Sequence, residues 1–150
     1  MSALDVAAVA TNKGDALTDR PRDRVYHGIN GNAEGAETRI LVVQGGGGPT
    51  ERHRGVTVLY ELSPEFPFWW GYTGGSPGRT ATAIIEDVTP DLVADEPALE
   101  GLLNSSLRSD LIIAFLVDVV GHLHDSEEFW LSAQSVIRWV RGYYRELMTS

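Results

Sequence analysis

Trp69-Trp70-Gly71-Tyr72-Thr73-Gly74-Gly75-Ser76-Pro77-Gly78 is the stretch where the chain changes its period. Upstream the apolar residues alternate as they do in strands, and downstream Ala81, Ile84, Ile85 and Val88 recur at helical spacing. Glycines at 74 and 75 permit a tight turn between the two regimes. Ser76 is the expected N-cap, and Pro77 suits a first helical position because its missing N–H would have no partner there. The helix is expected to stop at Pro90.

Working outward toward the N-terminus, Phe66 to Tyr72 is aromatic, but Pro67 confines it to a sheet edge or a strand start. Gly55 to Leu62 reads as a strand with Val56, Val58, Tyr60 and Leu62 on one face. Arg24 to Ile29 and Thr38 to Gln44 flank Asn30-Gly31-Asn32-Ala33-Glu34-Gly35 and predict a hairpin. Gly45-Gly46-Gly47-Gly48-Pro49 opens no helix, so it reads as a connector in preference to a phosphate cradle. Residues 1–23 keep no sustained period and read as a loose leader, with a short helix over Ala3 to Ala10, ahead of a single domain over 24–150.

Toward the C-terminus, a short helix is expected from Pro97 through Leu103. Another, over Ser109 to Leu123, carries Ile112, Phe115, Leu116, Val119 and Leu123 on one stripe. The last helix has Ser132 as N-cap, with Leu131 and Val136 placed for a hydrophobic staple and Val136, Ile137, Val140, Tyr144 and Leu147 facing inward. Strands first and helices after give an α+β class: a small antiparallel sheet in the N-terminal half, packed against three or four C-terminal helices.

A chain of 150 residues with 43% apolar content forms one core. No apolar run reaches the roughly 20 residues that span a bilayer, so no membrane association is expected. No signal-peptide pattern opens the chain and cysteine is absent, which excludes disulfides and thiolate ligands and makes a soluble, cytoplasmic protein the expectation. A net charge of −9 repels phosphate backbones and argues against broad, nonspecific nucleic-acid binding. Eleven of the 12 basic residues are arginine and only Lys13 is lysine, as in a GC-rich or salt-adapted genome.

The candidate ligand-binding set is Trp70, Tyr72, Gly74, Gly75, Ser76, Gly78 and Arg79. A helix N-terminus offers unpaired amides and positive dipole to an anion or carbonyl oxygen, Arg79 adds a forked donor, and Trp69, Trp70 and Tyr72 offer a stacking wall. The same residues also read as a tight turn with aromatics in the core. A P-loop is a poor match, because Thr73 stands at the first glycine, Arg79 at the lysine, and Pro77 removes a cradling amide.

His122-Leu123-His124-Asp125 suggests a zinc or iron site, but histidines two apart on a helix diverge, and neither His27 nor His53 has ligand-like spacing to them. Complementing a helix C-terminus is the preferred reading, and no metal or cofactor is expected. Glu86-Asp87 and Glu127-Glu128 are adjacent and read as solvated faces. Arg138, Arg141 and Arg145 form a basic stripe expected to pair with the protein's own carboxylates, although an acidic partner or nucleic acid is also conceivable. Trp139, Tyr143 and Tyr144 suit a homodimer interface as well as a core.

Trp70-Gly71-Tyr72-Thr73-Gly74-Gly75-Ser76-Pro77-Gly78, followed by Thr80-Ala81-Thr82-Ala83-Ile84-Ile85, resembles a family of small bacterial, archaeal, phage and plasmid proteins with a Trp-Gly-Tyr-Gly-Gly-Ser-Gly-Pro-like signature, a domain-of-unknown-function family. Thr73 is inserted, and Pro77 and Gly78 exchange order. Arg24-Val25-Tyr26-His27-Gly28 fits as opening strand, and Trp130-Leu131-Ser132 through Ile137-Arg138-Trp139-Val140 fits as closing helix. The resemblance implies a compact accessory protein carried by a mobile element. Two functions are therefore expected as alternatives: a non-enzymatic binding or interaction protein for an unknown protein, or a regulator or enzyme holding a small anionic, nucleotide-like ligand at residues 71–80.

Overall fold

The computed structural model describes residues 21–29, 38–44, 57–63, 67–71, 73–123 and 127–149. The expected helix at Ala3 to Ala10, the Asn30 to Gly35 turn, the glycine connector, and Lys13, His53, Tyr72 and His124 lie outside them.

The class is α+β, as the sequence indicates. Strands β1 (Val25–Ile29), β2 (Arg39–Val43) and β3 (Val58–Glu61) are followed by helices α1 (Gly75–Asp95), α2 (Leu99–Leu103) and α3 (Leu107–Asp118). A short 3-10 turn (Val120–His122), strand β4 (Phe129–Ser132) and helix α4 (Ala133–Thr149) complete the order. The sheet runs β3-β2-β1-β4 and every pairing is antiparallel.

The hairpin forms as expected, with Tyr26 opposite Val42 and Gly28 opposite Ile40. Period-2 alternation turns Tyr26, Ile40, Val42 and Phe129 toward the helices, where all four are buried. Gly28 lies among them because the Phe129 ring occupies the space a side chain would need: a Cβ there would come within 2.1 Å of Cε2. A register shift between Val42 and Val43 places Tyr60 opposite Val42 but Val58 opposite Val43. The bulge therefore moves Val58 off the face it was expected to share with Tyr60, and leaves it exposed.

Helix α1 is the centre of the core. Ala81, Ile84, Ile85, Val88 and Leu92 are fully buried, together with Leu99, Leu111, Phe115, Val120, Ala133 and Val140 from the elements around them. Pro90 does not end this helix, which continues to Asp95. A proline inside a helix costs about 3 kcal/mol, but Leu92 is buried beyond it and Asp91 and Asp95 bind arginines, so tertiary contacts outweigh the lost bond.

The Phe66–Tyr72 segment forms no strand among its described residues; Phe68 and Trp70 are core residues instead. Helix α3 ends at Asp118, before the 3-10 turn, and buries Leu111 and Phe115, while Ile112 and Leu116 are only half-buried. Helix α4 starts where expected: the Ser135 amide donates to Ser132 Oγ at 3.0 Å, and Leu131 and Val136 both join the core. Leu147, by contrast, is exposed.

Candidate functional site

At the turn that leads into α1, Gly71 adopts φ 92°, in the left-handed region that favours glycine, and its amide donates to the Val120 carbonyl at 3.0 Å. Thr80, buried, donates from Oγ1 to the Trp69 carbonyl at 2.7 Å. These two bonds fix both sides of the turn.

Helix α1 begins two residues earlier than the sequence suggests. Gly74 is the N-cap and makes no side-chain capping bond, Ser76 is the second helical residue, and Pro77 is the third. Proline is tolerated there because none of the first helical amides has an intrahelical acceptor. The Gly78 amide closes the first turn on the Gly74 carbonyl at 2.9 Å. Among the described residues, no group accepts from the amides of Gly75 and Ser76.

Gly74, Gly75 and Arg79 are exposed, and Ser76 and Gly78 are half-buried. Arg79 Nη2 donates to Ser76 Oγ at 3.1 Å. Trp70 does not join them. It is buried, its Nε1 donates to the Glu127 carbonyl at 3.0 Å, and its ring meets Phe129 edge-on at 4.8 Å. The structure therefore brings Gly74, Gly75, Ser76, Gly78 and Arg79 together and places Trp70 in the core.

A second constellation escapes sequence reading. Asp87, Asp91 and Asp95 lie four residues apart on one stripe of α1. Arg24 is fully buried and donates from Nε to Asp87 Oδ2 at 2.9 Å and from Nη2 to Asp91 Oδ2 at 2.6 Å. It also reaches the carbonyls of Asp87 and Pro21. Tyr26 and Tyr60 donate their hydroxyls to the two oxygens of Asp87 at 2.5 and 2.7 Å. Arg22 grips Asp95 with two bonds of 2.6 Å.

The adjacent Glu86-Asp87 pair is thus not a solvated face: Asp87 is buried, and only Glu86 turns outward, to Arg108 at 3.0 Å. Burial opposes the charge of Arg24, but the hydrogen bond to Asp91 and the negative charge of Asp87 more than offset it and its pKa rises. Burial, reinforced by Asp87, also raises the Tyr26 hydroxyl well above its usual range, so it stays a donor. Such a cluster locks β1 onto α1. The only sequence signal for it is the spacing of the three aspartates, because their arginine partners stand more than 60 positions away.

On the opposite side of β1, His27 stacks on Trp130 with centroids 3.7 Å apart, and its Nε2 lies 2.7 Å from Glu128 Oε1. His122 sits in the 3-10 turn after α3. No group of three His, Asp or Glu side chains poised for a metal occurs among the described residues. A shallow groove of about 420 Å³, lined by Glu86, Thr89, Leu103, Asn104, Ser105 and Arg108, lies between α1 and the start of α3.

Of the basic stripe on α4, only Arg141 has a carboxylate near it, Glu96 at 3.6 Å; the pairing expected for Arg138 and Arg145 is not found among the described residues. Trp139 packs edge-on against Phe115 at 5.2 Å and stacks on Tyr143 at 5.6 Å, so these aromatics join α4 to α3. No family model, curated protein or solved structure matches the chain.

Proposed function

We propose that the protein is a non-enzymatic binding or interaction module that receives an anionic or carbonyl group of a partner protein at Gly74–Gly75–Ser76. The observation that supports this reading is the pair of amides at Gly75 and Ser76 that find no acceptor among the described residues, at the positive end of a helix of 21 residues, with Arg79 beside them. Pro77 holds the following turn without competing for the ligand, and the bonds from Gly71 and Thr80 keep the turn in shape before a partner arrives. A location inside the cell, and the accessory role in a mobile element implied by the family resemblance, belong to the same proposal.

The test is Gly75→Val. A Cβ at this position meets nothing within 4 Å, so the fold tolerates the change while the side chain covers the open amides. Capture of partners from the protein's own host should fall to background with the melting temperature nearly unchanged. Equal loss of both would assign the turn to the fold alone.

A second reading, a regulator or enzyme for a small anionic, nucleotide-like ligand, draws on the same donors. Trp70 offers it no stacking surface, since the ring is buried. Thermal-shift measurement against inorganic phosphate and nucleotides separates the two: stabilisation removed by Gly75→Val favours the small ligand.

A further inference from the structure

The sheet has a second apolar face, on the side away from the helices. Val25 and Val43 are buried, yet they take no part in the core that the helices form with the sheet. They stand opposite one another on β1 and β2, and the alternation of the strands turns them away from Tyr26 and Val42. His27, Ile29, Leu41 and Trp130 share this outer face and are half-buried. All four helices place their buried aliphatic residues in the core on the opposite side. Val43 is nevertheless only 1% exposed and Val25 9%, which requires a layer of atoms above them. Val58 faces the same way at the free edge of the sheet and is 52% exposed, so that layer lies over β1 and β2.

Val25 and Val43 mark one end of the sheet, with Ser132 beside Val25. The connections over 30–37, 64–66 and 124–126 meet the sheet at its other end, where Ile29, Arg39, Glu61 and Phe129 lie. Two segments meet it at the Val25 end: residues 1–20, which run into β1, and residues 45–56, which join β2 to β3. The second offers only Pro49 and Val56 among glycines, charged residues, His53 and Thr50. The first carries Leu4, Val6, Val9 and Leu17 with five alanines, the side chains that an apolar surface holds. It also departs from a fixed point, since Arg24 Nη1 donates to the Pro21 carbonyl at 3.1 Å and Arg22 grips Asp95. Four strands measure about 14 Å across, and 20 residues span about 30 Å even when helical, so the segment can cross the face.

We propose that residues 1–20 pack across the outer face of β1 and β2, where Leu4, Val6, Val9 and Leu17 close a second, smaller core over Val25, Leu41, Val43 and Trp130. The occupant of this face is thus a segment of the same chain. The sheet becomes the middle of three layers, with its helices on one side and the N-terminal segment on the other. The glycine turn takes no part, so this inference stands apart from the proposed function.

Because the chain has no cysteine, a single nitroxide can be attached to the full-length protein at Thr11→Cys, which leaves every apolar residue of the segment in place. Its NMR spectrum tests the inference. The nitroxide should broaden the amide signals of His27, Leu41 and Val43 far more than those of Ile113 and Val117, which lie on the exposed side of α3. Leu4→Ser with Val6→Ser and Val9→Ser in the same labelled chain should abolish that difference. The helical circular dichroism should persist, because the core under the helices uses none of the three. Outer-face signals untouched by the nitroxide would overturn the inference and give the cover to residues 45–56. Broadening that survives the three serines would overturn it as well, since apolar packing would not then hold the segment. A mixture of nitroxide-bearing chains with isotope-labelled chains that lack the nitroxide should show no broadening; broadening there would overturn the inference by seating a second copy on the face.

Discussion

Asp87 ties β1 and β3 to α1 through a single carboxylate. Its carboxylate accepts from Arg24, Tyr26 and Tyr60, and its carbonyl accepts from Arg24 as well. Removing one member of a buried ion pair leaves the other charge desolvated without compensation, which costs about 3–5 kcal/mol. Asp87→Ala should lower the unfolding free energy by about that amount, seen in urea denaturation as an earlier midpoint at unchanged slope. At this scale the sequence was legible where burial follows a period: Ala81, Ile84, Ile85 and Val88 are all in the core. It was opaque for Asp87, because an acidic dipeptide on a helix reads as two solvated groups unless the arginine that rotates inward is known. Of the two readings the sequence left for Trp70, stacking wall or core residue, burial and the bond to the Glu127 carbonyl favour the core.

Among the elements, α1 shows how long-range partners override local signals. Pro90 is a helix breaker by local rules, yet the Asp91 and Asp95 pairs are made only if the helix passes through it. The Arg22 hydrogen bonds hold the Asp95 carboxyl below its ordinary value of 3.8. Because the folded-state value is the lower one, the stabilisation is present above the ordinary value and is lost as the pH falls through the folded-state value. Acid unfolding monitored by circular dichroism should therefore show a smaller loss of stability over that window in Asp95→Asn than in the parent. Arg22 falls within the segment read as a loose leader, and its grip on Asp95 shows that residues 21–23 are tied to the domain. Strand β4 was not foreseen, because four residues are too few to display a period and Ser132 is shared with the helix cap. The glycine turn was located correctly by the change of period, but its cap was displaced, since Ser76 and Gly74 both satisfy capping preferences.

For the whole molecule, the α+β class followed from the order of strand and helix periods, whereas the closure of the sheet did not. Tyr26 pairs with Leu131 and His27 with Trp130, so a strand from near the beginning of the domain is completed by residues that follow three helices. A chain ending at residue 125 would lack β4 and α4, leaving Tyr26, Phe115 and Trp70 without Phe129, Trp139 and Val140 around them. Such a fragment should be cleaved by a nonspecific protease far faster than the full chain and should bind a dye that reports exposed apolar surface. The order in which these pieces are synthesised adds a burden. While the ribosome is still making α1 to α3, the hairpin has already emerged with one flank of β1 bare, a flank able to recruit a strand from a neighbouring nascent chain until residue 132 arrives to occupy it.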